Sequence, residues 1–360
     1  MRRLRRLLGR LQDPRASNAR HDLWEILVIA LAATLCGAKT CTEFEYFGHG
    51  REELLRHFLD LKHGIPSHDT FSSVFRALDP KGLEAVLRRL GRSFGIKGVV
   101  SIDGKALRGA FERGRKATPL HMVNVWAVGA RMVLAQRKAP NRNEVAGALE
   151  VLALLDLKGA IVTADALHCR PDTARTIRSR GGHYVLAIKA NRGRLFRAVK
   201  ALFDEPSKPS RASQRSTIAH GRSEQRQAMV VAVPKFGQPY DFPDVRAVGR
   251  IDSWRAPAGR AAKHKVRYFL ASCPLSAKRM LEIVRAHWSI ENNLHWVLDV
   301  LFAEDACRTR KDHAPENLAI IRRIAINVLQ ATPGPQRISH KMLMARWDND
   351  ALLKTLAHMR

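Results

Sequence analysis

In the stretch VVSIDGKALRG (residues 99–109), β-favouring apolar residues run into a carboxylate, Asp103, and then into Gly104, Lys105 and Arg108. Such a run reads as a buried strand. Asp-Gly is a turn pair that commonly closes one. Taken alone, Asp103 is therefore a solvated turn residue at the end of its strand. A second strand changes that reading: AIVTAD (160–165) is also apolar and also ends on an aspartate, Asp165.

The elements between and after these two strands give the order of the domain. HMVNVWAV (121–128) and MVLAQRKA (132–139) are strands joined by a tight turn, hence a hairpin. An amphipathic helix follows over 143–157, then strand 160–165, helix 171–181, strand 183–189 and a basic-faced helix over 192–203. The order β-β-β-α-β-α-β-α describes three antiparallel strands extended in parallel through crossover helices. That is the α/β order of the ribonuclease-H-like fold, a mixed sheet flanked by helices. In this topology the first and fourth strands are neighbours, so Asp103 and Asp165 come side by side.

Outside this block the pattern differs. Residues 1–95 read as a helical N-terminal domain: a basic amphipathic opening, the apolar helix ILVIALAATLCGA, and a short helix capped at Ser67 or Asp69 that stops before Pro80. Residues 96–330 form the ribonuclease-H-like domain expected from that order. About 204–275 is a β-rich insertion with strand-like runs at 228–233, 245–251 and 265–272 after a Pro/Ser/basic loop. One helix is expected over 276–302 and another over 315–330. The tail, 331–360, is assigned no element.

Composition bounds the partners. The chain has 360 residues, 46% hydrophobic and 26% charged, enough for two or three domains of a globular protein. Sixty-two Lys+Arg against 33 Asp+Glu leave a net charge of +29. An excess of that size, mostly arginine, points to a polyanion, nucleic acid first and a membrane surface second. The five cysteines show no paired-ligand spacing, which fits a reducing cytoplasm and suggests neither disulfides nor a zinc module. The apolar run at 26–38 is 13 residues, short of the roughly 20 needed to span a membrane, so no membrane role is expected.

Two adjacent carboxylates repel unless one is protonated or a cation lies between them. Oxygen-only ligands suit Mg²⁺, with Mn²⁺ the alternative. For Asp165 the competing role is a helix N-cap. A third acid is expected on the helix HWSIENNLHWVLDVLFAED, which offers Glu291, Asp299, Glu304 and Asp305. Glu291, flanked by Ile290 and Leu294, is expected to be partly buried, with Asp299 second. Glu304 and Asp305 fall near the helix end, where simple solvation explains them. His287, Glu291 and His295 share an i, i+4, i+8 stripe that suggests zinc. The spacing is not H-E-x-x-H, however, and packing histidines are the commoner outcome.

DGKALRG, NEV, TADALHC, YVLAIKANRG, HGRSEQR and HWSIENNLHWVLDVLFAEDACR, in that order, resemble the bacterial insertion-sequence transposases that include the H-repeat-associated proteins. DPRASNARHDLWEILVIALAATLCGA and GIPSHDTF are similar to the same family's N-terminal part, so the resemblance spans about residues 13–330. It implies a DDE transposase with a ribonuclease-H-like catalytic domain that holds Mg²⁺ on two Asp and one Glu. Matched residue by residue, these are Asp103, Asp165 and Glu291. The Tyr, Arg and Lys that accompany the Glu in related transposases fall here on Val284, His287 and Leu298, a departure from the pattern.

The resemblance further implies cleavage at the element's ends, strand transfer, and a homodimer on DNA. Lys105, Arg108, Lys189, Arg192, Arg285 and His287 are candidates for steadying DNA phosphates, as are Arg2, Arg3, Arg5, Arg6 and Arg10 for holding the element's end. The alternatives are a DNA-binding remnant without catalysis, or a metal-dependent nuclease without strand transfer.

Overall fold

The computed structural model describes residues 2–93, 95–111, 119–204, 210–218, 222–256 and 262–357. Six helices come first: α1 (Arg2–Leu8), α2 (Leu23–Leu35), α3 (Cys41–Gly50), α4 (Glu52–Arg56), α5 (His68–Ala77) and α6 (Pro80–Arg92). Ser67 caps α5 by accepting from the Thr70 N–H. Asp79 caps α6 ahead of Pro80, whose missing N–H costs nothing at a first helical position. The apolar run becomes α2, buried along almost its whole length.

The strands are β1 (Gly98–Phe111), β2 (Pro119–Ala127), β3 (Met132–Lys138), β4 (Ala160–Ala164), β5 (His183–Ile188), β6 (Ser210–Ile218), β7 (Arg222–Ala232), β8 (Ala247–Ala256) and β9 (Lys263–Ala271). Helices α7 (Glu144–Ala153), α8 (Pro171–Ser179) and α9 (Gly193–Asp204) are the expected crossovers. Among the described residues all nine strands lie in one sheet, in the order β3-β2-β1-β4-β5-β9-β8-β7-β6. β1–β2–β3 is antiparallel and β1–β4–β5 parallel, as the ribonuclease-H-like order requires.

Two strand expectations change. β1 does not stop at Asp103 but continues to Phe111, because β2 pairs with it from Val100 to Phe111. The insertion holds four strands rather than three, the extra one (β6) lying where a loop is expected. It also extends the main sheet, through the antiparallel pairing of β9 with β5.

The long helix expected over 276–302 is interrupted. It consists of α10 (Ala277–His287), a π-helical turn (Ile290–His295) and α11 (Trp296–Val300). The tail, left unassigned from sequence, folds as α13 (Ile338–Trp347) and α14 (Asn349–Ala357), after α12 (Ala314–Ala331). α12 is buried from Ala314 to Leu329. Around it the N-terminal helices, α11, α13, α14, Trp126 of β2 and Val133 of β3 share one hydrophobic core. The helices before residue 95 are thus packed onto the sheet, not strung beside it. Among the described residues no helix is long and apolar enough to cross a membrane, and all five cysteines are free.

Candidate active site

The β1–β4 ladder runs from Gly98 opposite Ala160 to Ser101 opposite Thr163. The ladder stops at that pair, on one face of the sheet, and Asp103 and Asp165 each lie two residues beyond it. Thr163 Oγ1 lies 3.2 Å from Ser101 Oγ and 3.1 Å from His287 Nδ1, so this is the face covered by α10 and the π-turn. Asp165 follows the last residue of β4, as expected. It is not a helix cap: Arg170 occupies that place for α8, and Asp165 Oδ1 instead accepts from the Leu167 N–H at 2.9 Å.

Burial pushes the Asp103 carboxyl up to about 7, and the charges of Glu144, Glu291 and Asp165 push the same way. The charge of Glu291 thus acts on Asp103, but Glu291 is exposed, not partly buried as expected. The π-turn explains the difference. The Trp296 N–H bonds to the Glu291 carbonyl five residues back, so the turn is wider than the α-helix read from sequence and its i+4 stripe does not hold throughout. Ile290 and Leu294 stay in the core while Glu291 turns outward.

His295 comes to the opposite side of the site, its Nδ1 3.7 Å from Asp103 Oδ2. Burial lowers both His295 and His287 to about 4. Among the described residues no three His, Cys, Asp or Glu side chains stand at ligating spacing, and this holds for Asp103, Asp165 and Glu291 as it does for the His287, Glu291 and His295 stripe. The donor chemistry of Asp103, Asp165 and Glu291 nonetheless fits a hard divalent cation. The donors are oxygen only, two of them just past the end of the β1–β4 ladder, and burial first, then neighbouring carboxylate charge, raises the Asp103 carboxyl, a cost that a cation would relieve.

The basic candidates divide. Lys105 is buried, with its ammonium 2.7 Å from Asp299 and 3.0 Å from Asp305. This departs from a phosphate-contacting role, because two carboxylates already hold the charge and water does not reach it. Asp305 also takes Arg108 at 3.3 Å, so it is not merely solvated, but Arg108 itself remains 79% exposed. Arg192 donates from Nε to the Cys169 carbonyl at 3.0 Å, and His287 is engaged by Thr163. Lys189 and Arg285 are exposed, as are Arg5, Arg6 and Arg10 of the N-terminal stretch; the Arg2 and Arg3 side chains lie outside the described residues.

Two features escape the sequence reading. Glu304 is fully buried against Arg323, which bonds it at 2.5 and 3.3 Å and donates to Asn124 Oδ1 at 2.7 Å, beside Asp103 across the β1–β2 ladder. Glu144 of the NEV motif stands against Gly104 and His168. The motif itself marked that residue; nothing local marked Arg323.

Comparison with known proteins follows the same lines. The family model described as "Transposase DDE domain" matches residues 95–328, and "DDE_Tnp_1-associated" matches residues 5–90. The "H repeat-associated putative transposase YhhI" of Escherichia coli (strain K12) is 32% identical over 350 residues, covering 94% of this chain and 93% of that one. The "Putative transposase YncI" of Escherichia coli O157:H7 is 33% identical over 324 residues, covering 86% and 83%. A solved piggyBac transposase synaptic complex with hairpin DNA superposes with a TM-score of 0.45 at 13% identity, over 98% of this chain and 77% of that chain. The chain belongs to the DDE transposase family, with a ribonuclease-H-like catalytic domain.

Proposed function

We propose that the chain cuts DNA at the ends of an insertion sequence and joins those ends to target DNA, using Asp103, Asp165 and Glu291. The observation that carries this reading is that Asp103 and Asp165 each follow the last pair of the β1–β4 ladder by two residues, with the charges of Asp165 and Glu291 both acting on the Asp103 carboxyl. Bound there, Mg²⁺ or Mn²⁺ supplies activation of the attacking oxygen and stabilisation of the leaving oxygen in an in-line displacement at phosphorus.

The chain's own residues prepare that chemistry. Asp103 and Asp165 each lie two residues beyond the last pair of the β1–β4 ladder, so the sheet delivers both to one end of that ladder. Glu291 lies on the exposed rim, where a DNA strand approaches. His295 and His287, both neutral, close the inner side without adding charge. Lys189, Arg108 and Arg285 are exposed and on this reading steady phosphates, while Lys105 holds Asp299 and Asp305 in the wall. The +29 charge favours DNA over an uncharged partner, and the arginine-rich α1 contributes to holding the element's end. Holding two ends and a target together supplies rate by positioning, which makes a homodimer on DNA the working assembly. The residue division 1–95, 96–330 and 331–360 and a cytoplasmic location complete the proposal.

The test is Mg²⁺-dependent cleavage of DNA carrying the element's own ends, wild type beside Asp103→Ala, Asp165→Ala and Glu291→Ala. Cutting by wild type, with all three variants binding but not cutting, is expected. Cutting by Glu291→Ala moves the third acid to Asp299. Tight, salt-sensitive binding without any cutting by wild type indicates the inactive remnant, and cutting without end joining a nuclease.

A further inference from the structure

The segments that carry Asp103 and Asp165 separate where the parallel ladder stops, at Ser101 and Thr163. Beyond it β1 bonds to β2, and the chain after β4 folds into a turn in which the His168 N–H reaches the Asp165 carbonyl at 3.2 Å. Glu144, in the first turn of α7, meets both segments. Its carboxyl occupies the space above Gly104 where a side chain would stand, so that a Cβ built on Gly104 overlaps it. Its Oε1 lies 2.9 Å from Nε2 of His168, which is buried on the turn that follows Asp165. His121 of β2 closes the far side, with Nδ1 4.0 Å from Oε2.

A half-buried carboxylate is retained where its hydrogen bonds are met; here His168, three residues after Asp165, meets one, while the carboxyl sits against Gly104, which follows Asp103. We propose that Glu144 is a positioning residue: by filling the space over Gly104 and accepting from His168, it sets the separation of Asp103 and Asp165. The inference rests on reading those aspartates as partners in one cation site. It explains why residue 104 is glycine: the position is needed for a neighbour's carboxyl, and its backbone adopts no left-handed conformation. It also gives the NEV and TADALHC motifs one joint purpose.

The test uses the full chain and two readouts that do not depend on cleavage. Mn²⁺ affinity is measured by the paramagnetic resonance of free Mn²⁺, and amide hydrogen exchange is followed over residues 165–168. Glu144→Ala is expected to weaken Mn²⁺ binding about tenfold to a hundredfold, the range seen when groups orienting metal ligands are removed, and to speed exchange in the turn. Glu144→Gln keeps an oxygen acceptor for His168 and is expected to stay within about threefold of wild type on the same scale.

If Glu144→Gln loses as much as Glu144→Ala, the negative charge and not the contact matters, and the inference is overturned. Unchanged exchange in Glu144→Ala overturns it equally, whatever Mn²⁺ does. A wild type that binds no Mn²⁺ removes the cation reading while the exchange measurement still decides the contact. Gly104→Ala guards against a misfolded Glu144→Ala: it denies the carboxyl its place and is expected to reproduce both effects. The pair Gly104→Ala/Glu144→Ala is expected to be no worse than Glu144→Ala, and a Gly104→Ala protein identical to wild type overturns the inference.

Discussion

Replacing Arg323 with Met removes the cation from the most deeply buried ion pair beneath the site. The guanidinium bonds both Glu304 oxygens, Asn124 Oδ1 at 2.7 Å and the Ala319 carbonyl at 2.9 Å, and neither charged side chain has exposed surface. Helix propensity is indifferent, since Arg and Met rank together. The loss comes from stranding Glu304 in the core, which typically costs about 3–5 kcal/mol. Arg322 at 3.9 Å still compensates part of that charge, so we expect the lower end, about 3 kcal/mol. For a chain of this length that is a fall of about 5 °C in Tm.

The double variant Arg323→Met/Glu304→Met removes both charges, and apolar replacement of a buried pair is often neutral. It should recover to within about 1–2 kcal/mol, the remainder being the unpaired Asn124 oxygen. Denaturant midpoints and circular-dichroism melts of wild type, single and double variants make the test. A single variant within about 1 kcal/mol of wild type, or a double no better than the single, refutes the reasoning.

The pH dependence carries a sign. Burial opposes the Glu304 charge, but Arg323 prevails and holds the carboxyl below its ordinary value. Its stabilisation is present above the unfolded value near 4.5 and is lost as pH falls through the lower folded one. The double variant lacks that part of the acid loss.

Other outcomes follow from the same geometry. Burial pushes Glu84 of α6 up to about 7 against the pull of Arg137, 2.7 Å away on β3. An acid raised on folding holds its proton more tightly folded, so stability falls by about 3 kcal/mol as pH rises from 4.5 through 7. Glu84→Gln should flatten that slope in melts across the range, and an unchanged slope would falsify the assignment. Gly91 lets α6 approach β3, since a Cβ there would lie 3.0 Å from Leu134 Cα and carbonyl oxygen, which are backbone and cannot yield. Gly91→Val should cost about 1–3 kcal/mol by overpacking, read from the denaturant midpoint, and a neutral result would count against this close approach. DNA affinity should fall about 10³-fold or more between 50 and 200 mM salt if six or more phosphates are neutralised. Alanine at Arg285 and Lys189 together should reduce that slope by about two contacts, and an unaltered slope would remove them from the interface.

The sequence by itself determined the order of the first five strands and that two aspartates come where the pairing of two neighbouring strands ends, because period-2 apolar runs and turn residues are local signals. It also marked the glutamate, through motifs in a recognisable order. Only the tertiary structure decided what each charge meets. Lys105 carries the local signature of a phosphate contact, yet its partner Asp305 lies 200 residues away. Glu304 resembles a solvated helix end until Arg323 of α12 is packed against it. The exposure of Glu291 was equally hidden, because a π-turn differs from an α-helix by one residue of spacing and no side-chain pattern announces it. β1 outruns its expected end at Asp103 because β2, brought back by the chain reversal, continues to supply hydrogen bonds. Periodicity reports which way a residue faces along its own element; the neighbours it faces are chosen by packing between elements far apart in the chain.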